Sequence, residues 1–278
     1  MKKAIASTIL AVACTSSVLF SGCSFEFSSS LMNYENGDKY TVGNGSAQSG
    51  VTELEIDWLD GNIEIEYGDV ESVTFQETSE AKLSEKKKIH HWLEGSTLHL
   101  KCIKSTEGIK LSQNPKKDLK VVLPRALALE KVDINAFDAD VEMTVESKEV
   151  KIHTHKGSVQ GYLEGETQEL EVDTASGDVV FDALNLKEFD FYTINGDISL
   201  QSSTLPYEGE VESGSGNFTL SLYEGAEFSI VYETLSGGVE SDFSLTKSGN
   251  RYVCGSSENE YEVKTVSGNL KIEKKTAK

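Results

Sequence analysis

EVDTASGDVVFDAL, residues Glu171 to Leu184, is the stretch that decides the fold of this chain. Apolar and polar residues alternate up to a Ser-Gly-Asp turn at residues 176–178, and the alternation resumes at Val179. A period of two residues is typical of a β-strand with one buried face. Because glycine permits a sharp bend of the backbone, the stretch predicts two strands that meet at a corner.

The same eight-residue pattern recurs along the chain. In most copies the first and last positions are apolar, the third is Thr or Ser, and the sixth is Gly. The copies are IDWLDGNI from Ile56, INAFDADV from Ile134, IHTHKGSV from Ile152, VDTASGDV from Val172, FYTINGDI from Phe191, VESGSGNF from Val211, YETLSGGV from Tyr232 and VKTVSGNL from Val263. From the second copy onward the steps are 18, 20, 19, 20, 21 and 31 residues. A period near twenty residues indicates a solenoid.

We therefore predict an all-β fold, a β-solenoid or β-helix-like stack of rungs of about 20 residues with hairpin caps. No period has room for a crossover helix. Each strand would pair with its equivalents above and below, at about 4.8 Å. The residues at the first and eighth positions would face inward and form apolar columns, in which the rungs follow one another in the order of the chain. Hydroxyls of the third-position column could hydrogen-bond from rung to rung; the column comprises Thr154, Thr174, Thr193, Ser213, Thr234 and Thr265.

Hairpins are predicted at both ends of the stack. KIHHWL from Lys88 and TLHLKCI from Thr97 flank a Glu-Gly-Ser turn at residues 94–96. The long last step contains Thr246 to Glu262, which we interpret as an inserted hairpin. Because an uncovered strand edge invites aggregation, these two segments are the natural caps.

The amino terminus predicts an export signal at residues 1–22. Lys2 and Lys3 precede an apolar segment, and Ser21 and Gly22 precede Cys23. Gly followed directly by Cys resembles the bacterial lipobox. This resemblance implies cleavage before Cys23 and acylation of its sulfur, with palmitate as one of the acyl chains. An ordinary secretory signal and a membrane-spanning anchor are the alternatives, although the apolar run is short for a bilayer.

Residues 23–50 are rich in Ser, Gly and Asn and predict a flexible tether. The folded domain is predicted at residues 51–278. Of the four cysteines, Cys14 falls within the signal and Cys23 is the lipidation candidate, so Cys102 and Cys254 remain for the domain. Two buried free thiols are favoured over a disulfide, because the chain is not a disulfide-dense scaffold.

The composition argues against nucleic acid as a partner. The chain has 26 Lys and Arg against 46 Asp and Glu, a formal net charge of −20. Binding of phosphates requires a basic surface, and anionic lipid headgroups would also repel this one. Acidic residues spread over strand faces promote solubility, and attraction of cations or of a basic partner is the alternative.

Three groups of residues have side chains that could bind a metal or catalyse a reaction. Acidic and amide side chains at the corners could bind Ca²⁺, but turn geometry also explains them: Asp60, Asn62, Asp138, Asp178, Asp197, Asn217 and Asn269. The histidines His90, His91, His99, His153 and His155 do not predict the convergent ligands of a zinc site. Acid pairs such as Glu171 and Asp173 lie on an alternating face that we expect to face solvent. We predict no catalytic residue, no metal and no cofactor.

One resemblance adds to these patterns. The segment LKVVLPRALALEKVDI, from Leu119 to Ile134, leads into rungs with SGDV, NGDI, SGNF and SGNL. It is similar to the "putative adhesin" family of β-strand repeat proteins, a domain of unknown function, and the opening IDWLDGNIEIEYGD looks like lipoprotein members from Gram-positive bacteria. The resemblance covers about residues 51 to 275. It implies a β-solenoid at the cell envelope and supplies no catalytic residues.

The function expected from the sequence is binding without catalysis. The chain would be an extracytoplasmic protein, anchored to the cell membrane by a lipid, whose repeat surface binds an envelope protein or a cell-wall glycan. A first alternative is a regulatory or structural module of the envelope-stress response that acts through a membrane protein. A second is a carbohydrate-active β-helix enzyme, against which the minimal rung loops argue.

Overall fold

The computed structural model describes residues 33–47, 50–105, 115–256 and 258–275. Within these ranges the protein is all-β, with a single turn of 3-10 helix at Glu85–Lys87 and no α-helix. No helix in the described ranges has the length and apolarity needed to cross a bilayer. The predicted signal and Cys23 lie outside the described residues.

The strands of the described residues range from two to 28 residues in length. In chain order they are β1 Thr41–Val42, β2 Gly45–Ser46, β3 Glu53–Gly68, β4 Thr74–Thr78, β5 His90–Glu94, β6 Thr97–Lys101, β7 Asp118–Pro124, β8 Leu129–Lys156, β9 Val159–Ser176, β10 Val179–Asn195, β11 Ile198–Ser202, β12 Glu208–Ser215, β13 Phe218–Leu222, β14 Phe228–Ser236, β15 Val239–Ser241, β16 Thr246–Ser248, β17 Arg251–Cys254, β18 Glu260–Ser267 and β19 Leu270–Lys274.

Parallel pairing stacks these strands into rungs with two sides. The side before the glycine corner, called side one, contains β6, the first part of β3, alternating parts of β8, β9 and β10, then β12, β18 and β14. The side after the corner, called side two, contains β7, the second part of β3, the other parts of β8, β9 and β10, then β11, β13, β19 and β15. The predicted β-solenoid is confirmed.

The inward columns form the core between the two sides. The first-position residues Ile56, Ile134, Ile152, Val172, Phe191, Val211 and Val263 are buried, as are Ile63, Val141, Val159, Val179, Ile198, Phe218 and Leu270 of the eighth position. At roughly 1.5–3 kcal/mol for each large apolar side chain, these columns supply the main stabilisation of the stack.

Each corner is a bend between two successive strand segments of one rung and is not a hairpin turn. Residues Asp60 and Gly61 lie within β3, opposite Asp138 and Ala139 of β8. A Cβ built on Gly177 would lie 2.0 Å from the carbonyl oxygen of Gly157, and the φ of Gly177 is +147°. At Gly177, glycine is therefore required by the close approach of the preceding rung as well as by the bend.

The order of the last rungs differs from the chain order that the sequence predicted. Val263 of β18 pairs with Val211 of β12 on one side and with Tyr232 of β14 on the other. The rung at residues 260–274 thus lies inside the stack, and the rung at 228–241 is the terminal one. The columns themselves are correct, but Tyr232 is the last member.

The predicted ladder of third-position hydroxyls is wrong. The hydroxyls of Thr174, Thr193, Ser213 and Thr265 are buried and have no hydrogen-bond partner among the described residues. Thr154 bonds instead to the carbonyl of Lys156 in its own rung, at 3.1 Å. The rungs are linked at the corner instead, by the side chain that follows each glycine.

That corner ladder consists of Asp and Asn oxygens that accept main-chain N–H groups of the next rung. Asp178 Oδ1 accepts from Asp197, Asp197 Oδ1 from Asn217, Asn217 Oδ1 from Asn269 and Asn269 Oδ1 from Gly238, at 2.7–3.0 Å. These side chains stabilise the stack, because they satisfy donors that the bend would leave unpaired.

Both predicted caps are present. Strands β5 and β6 form an antiparallel hairpin beside β3, and β16 and β17 form a second hairpin beside β14. The amino-terminal cap also takes in residues 33–47, which the sequence assigned to the tether: β1 pairs with β5 and β2 with β4. The folded part therefore begins before residue 51.

Candidate functional site: an acidic sheet face

The outer surface of side one carries a concentration of carboxylates that we call the acidic face. Alternation buries every second residue of each strand and turns the others outward. The outward carboxylates are Glu53, Glu55, Asp57, Asp133, Glu149, Glu169, Glu171, Asp173, Glu188, Asp190, Glu208, Glu210, Glu212, Glu233, Glu260 and Glu262, and the lysines among them are Lys101, Lys131, Lys151 and Lys264. Asp57 and Lys101 point to the same side of the sheet but are buried. The other carboxylates place much of the negative charge of the chain on this surface.

Each lysine on this face is shared among several carboxylates. The Nζ of Lys151 lies 2.8 Å from Glu171, 3.2 Å from Glu169 and 3.7 Å from Glu149. Hydrogen bonding to Glu171 raises the pKa of Lys151, although partial burial opposes the shift. Lys264 is shared in the same way among three glutamates. One positive charge therefore meets three negative charges at each of these positions.

Asp190 is a carboxylate of the acidic face that has other carboxylates as its neighbours. It lies between Glu171 and Glu210, its register partners on the two neighbouring rungs. Desolvation, followed by the charges of Glu210, Asp173, Glu171 and Glu212, raises the pKa of Asp190 to about 6. No ion pair connects Asp190 to a lysine within the described part of the chain. A cationic group from a partner would meet unsatisfied negative charge here.

His153, Glu171 and Asp173 form a cluster that could hold a cation. One ligand atom of each lies within 4.8 Å of the others. His153 Nδ1 lies 3.0 Å from Asp173 Oδ2, and this hydrogen bond raises the pKa of His153. The Nζ of Lys151 lies 2.8 Å from Glu171 Oε2, so a cation bound here would compete with this lysine and with the bond between His153 and Asp173.

An apolar border runs along the acidic face beside the corner. It is the next outward position of the strands and comprises Phe137, His155, Ala175, Ile194, Val266 and Leu235. Leu235 is 76% exposed and Val266 is 56% exposed, and the rings of Phe137 and His155 stack at 5.0 Å. Exposed apolar side chains beside charged ones are typical of surfaces that bind proteins.

The other histidines do not converge on a site. His90 is buried and its Nδ1 lies 2.8 Å from the carbonyl of Lys88. His91 packs against Phe75, with ring centroids 4.6 Å apart. His99 stacks on Trp92 and lies 3.0 Å from Glu55. These three side chains hold the amino-terminal cap together.

The corner oxygens of Asp178, Asp197, Asn217 and Asn269 belong to the corner ladder and therefore have a structural role. Cys102 is buried, Cys254 is half-buried and both thiols are free. On side two, a surface cleft of about 410 Å³ is lined by Glu66, Tyr67, Arg125, Thr144 and Glu164. Its mixed lining contains no Ser, Cys or His nucleophile or base.

Sequence reasoning found the outward acids one strand at a time and did not recognise the acidic face or Asp190 within it. The signal was available in the sequence. The residue three before the third-position Thr or Ser is Glu or Asp in several windows, and the residue directly before that Thr or Ser is Glu or Asp in several as well. The apolar border was missed because its members vary in size from Ala to Phe and include His155. The outward residues of different strands are aligned by the register between neighbouring rungs, which is set only when the rungs stack.

Comparison with known proteins gives one family and several solved structures. The model of the family described as Toastrack DUF4097 matches residues 51–273. A putative adhesin from Bacteroides fragilis is 13% identical, with 84% of this chain and 97% of that chain covered and a TM-score of 0.39. A putative cell adhesion protein from Clostridium sporogenes is 14% identical, with 85% and 100% covered and a TM-score of 0.32. Comparison with curated proteins gave no match.

Proposed function

Because the chain belongs to the Toastrack DUF4097 family, whose function is unknown, we propose its role from its own surface: a non-catalytic binding protein of the cell envelope, anchored through a lipid on Cys23. Its binding surface is the acidic face with the apolar border. The observation that supports this proposal is the alignment of carboxylates on successive rungs around Asp190.

The chemistry of this face favours a basic protein segment as the partner. Rows of carboxylates attract Lys and Arg side chains over a long range and set the orientation of the encounter. The apolar border gives the partner a place to bury aliphatic side chains. Wall polymers that carry phosphate would be repelled, so of the two partner classes expected from the sequence, an envelope protein fits better than an anionic glycan.

Charge reversal on the face tests the proposal. Glu188, Asp190 and Glu208 are exposed. On side two, Glu142 and Glu240 are exposed and Glu164 is half-buried, and these three carboxylates form the control set. The two triple variants, E188K/D190K/E208K and E142K/E164K/E240K, change the net charge equally. After crosslinking on intact cells, we expect the first variant to lose at least about tenfold in captured partner and the second to retain capture.

The dependence of partner capture on salt concentration is an independent test of the acidic face. Exposed charges are screened strongly once the Debye length falls to about 8–10 Å. Capture by the native protein should therefore decrease as salt rises. Equal capture by both triple variants, or capture that does not depend on salt, would exclude the acidic face as the binding surface.

The regulatory alternative uses the same surface with another partner. A module of the envelope-stress response would capture a membrane protein rather than a surface ligand, and the identity of the crosslinked protein separates the two. Turnover of an envelope glycan that is lost on mutation of a single carboxylate would support the enzyme alternative and contradict the proposed function.

A further inference from the structure

The carboxy-terminal rung occupies a slot between two rungs that precede it in sequence. Strand β18 lies between β12 and β14, and β19 lies between β13 and β15. Residues 223–227, which connect β13 to β14, therefore step over one whole rung. The gap they leave is what we call the strand slot.

The walls of the strand slot specify what fits inside it. At the corner, a Cβ on Gly268 would lie 1.8 Å from the oxygen of Gly216, and a Cβ on Gly237 would lie 1.8 Å from the oxygen of Gly268. The N–H of Gly216 donates to Ser267, and the N–H of Gly268 donates to Ser236. The slot therefore accepts a strand with glycine at the corner and its main chain in register with both walls.

The occupant is also held by its inward side chains. Tyr261, Val263, Leu270 and Ile272 are buried, and the Tyr261 hydroxyl donates to the carbonyl of Pro206 at 2.8 Å. An empty slot would expose these partners and two facing strand edges, which is a strong drive to fill it. These contacts depend on the sequence of the entering rung and do not depend on which chain supplies it.

The link to the occupant is short. Strand β17 pairs with one edge of β14 and β18 with the other edge, and only residues 255–259 join them. We propose that the slot also accepts the carboxy-terminal rung of a second copy of this chain, so that two copies exchange residues 260–275 reciprocally. Exchange of identical elements preserves every contact in the slot, and the length of the link decides between monomer and dimer.

A change in the length of the link tests this inference. Removal of Ser256–Glu258 leaves two residues, a reach of about 10 Å, whereas the path from one edge of β14 to the other covers two strand spacings of about 4.8 Å each and must also pass around the strand. The variant that lacks Ser256–Glu258 and is otherwise complete should be dimeric by light scattering. A variant with several Gly and Ser residues inserted after Ser256 should be monomeric. A folded, monomeric deletion variant would overturn the proposal.

A disulfide between chains identifies the exchange itself. Glu212 and Lys264 are register partners on β12 and β18. With all four native cysteines replaced by alanine, chains with Glu212→Cys are mixed with chains with Lys264→Cys, refolded together at high concentration, and oxidised. Exchange places the two thiols side by side across chains, so a covalent heterodimer is expected.

Two controls complete the test. Glu142→Cys lies on side two, and its mixture with Lys264→Cys should give no more covalent dimer than random collision. The refolding mixture has the native link and tests the proposal even where the deletion variant fails to fold. Equal crosslinking of Glu142→Cys and Glu212→Cys, or crosslinking of neither, would overturn the exchange.

Discussion

At the scale of single residues, the glycine corners show how a missing side chain sets the spacing of the rungs. Gly157 combines a φ of +129° with a carbonyl, that of Ala139, only 2.1 Å from the position of a Cβ. Gly43 has a φ of +102° and no atom within 4 Å of that position. Comparison of substitutions at Gly157 and Gly43 therefore separates the free-energy cost of the left-handed backbone conformation from the cost of the clash with a neighbouring rung.

We expect Gly157→Ala to cost roughly 2–5 kcal/mol and Gly43→Ala roughly 1–2 kcal/mol. Both variants strain a left-handed conformation, and only the first also forces the next rung away. Urea unfolding followed by circular dichroism measures the two free energies. Equal losses in the two variants would mean that rung contact at the corner contributes nothing.

A second residue-scale prediction concerns pH. The folded state raises the pKa of Asp190 to about 6, above its value of about 3.9 in an unfolded chain. The stability that its protonation contributes is complete below the unfolded pKa and is lost as pH rises through about 6. Asp190→Asn should therefore stabilise the protein at pH 7.5 by about 0.5–1 kcal/mol, a value reduced for solvent screening.

The stabilisation by Asp190→Asn should disappear toward pH 4. Thermal unfolding across this pH range measures the difference between the two proteins. A variant that is less stable than the native protein at pH 7.5 would show that Asp190 has a favourable partner, contrary to its position between Glu171 and Glu210.

At the scale of elements, the amino-terminal cap depends on a buried lysine. The side chain of Lys117 is 1% exposed, and its Nζ donates to Glu77 Oε2 and to the carbonyl of Lys87, each at 2.8 Å, and to the carbonyl of Cys102. The ammonium group also lies 4.9 Å from the centre of the Trp58 ring. This single group joins β4, β7 and the residues that follow β6.

Lys117→Met should cost about 3–5 kcal/mol, because it leaves the carboxylate of Glu77 buried without a partner. The double variant Lys117→Met, Glu77→Leu should recover much of that loss. Lys120→Met is the control, since Lys120 pairs with Glu64 and Glu66 at the surface and its loss should cost no more than about 1 kcal/mol. Urea unfolding distinguishes the three; a similar loss for Lys117 and Lys120 would contradict a structural role of the buried pair.

Elements were predictable where the pattern is local. The alternation in Glu171 to Leu184 predicts the strands on each side of the corner, and Glu94-Gly95-Ser96 predicts the hairpin of β5 and β6. Strands β1 and β2 were not recognised, because two-residue strands in a segment rich in Ser and Gly have no period. They exist because the edges of β4 and β5 are available to pair with them.

At the scale of the whole molecule, the proposed lipid anchor on Cys23 would set the position of the acidic domain. Cleavage before Cys23 followed by acylation would give the protein two or more lipid chains, which is enough for stable membrane attachment. Cys23→Ala should release the protein from the membrane fraction into the medium or the soluble fraction, and Cys14→Ala should not. Membrane retention that is unchanged by Cys23→Ala would exclude the lipid anchor.

The sequence alone determined the all-β class, the rung length, the glycine corner and the caps, because each depends on residues close together in the chain. Only the tertiary structure decided that residues 260–274 lie between the rungs at 208–222 and 228–241. The windows at Tyr232 and Val263 have similar inward residues, so the pattern does not distinguish their places. Strand pairing over long separations makes that choice, and it also aligns single outward acids into the acidic face.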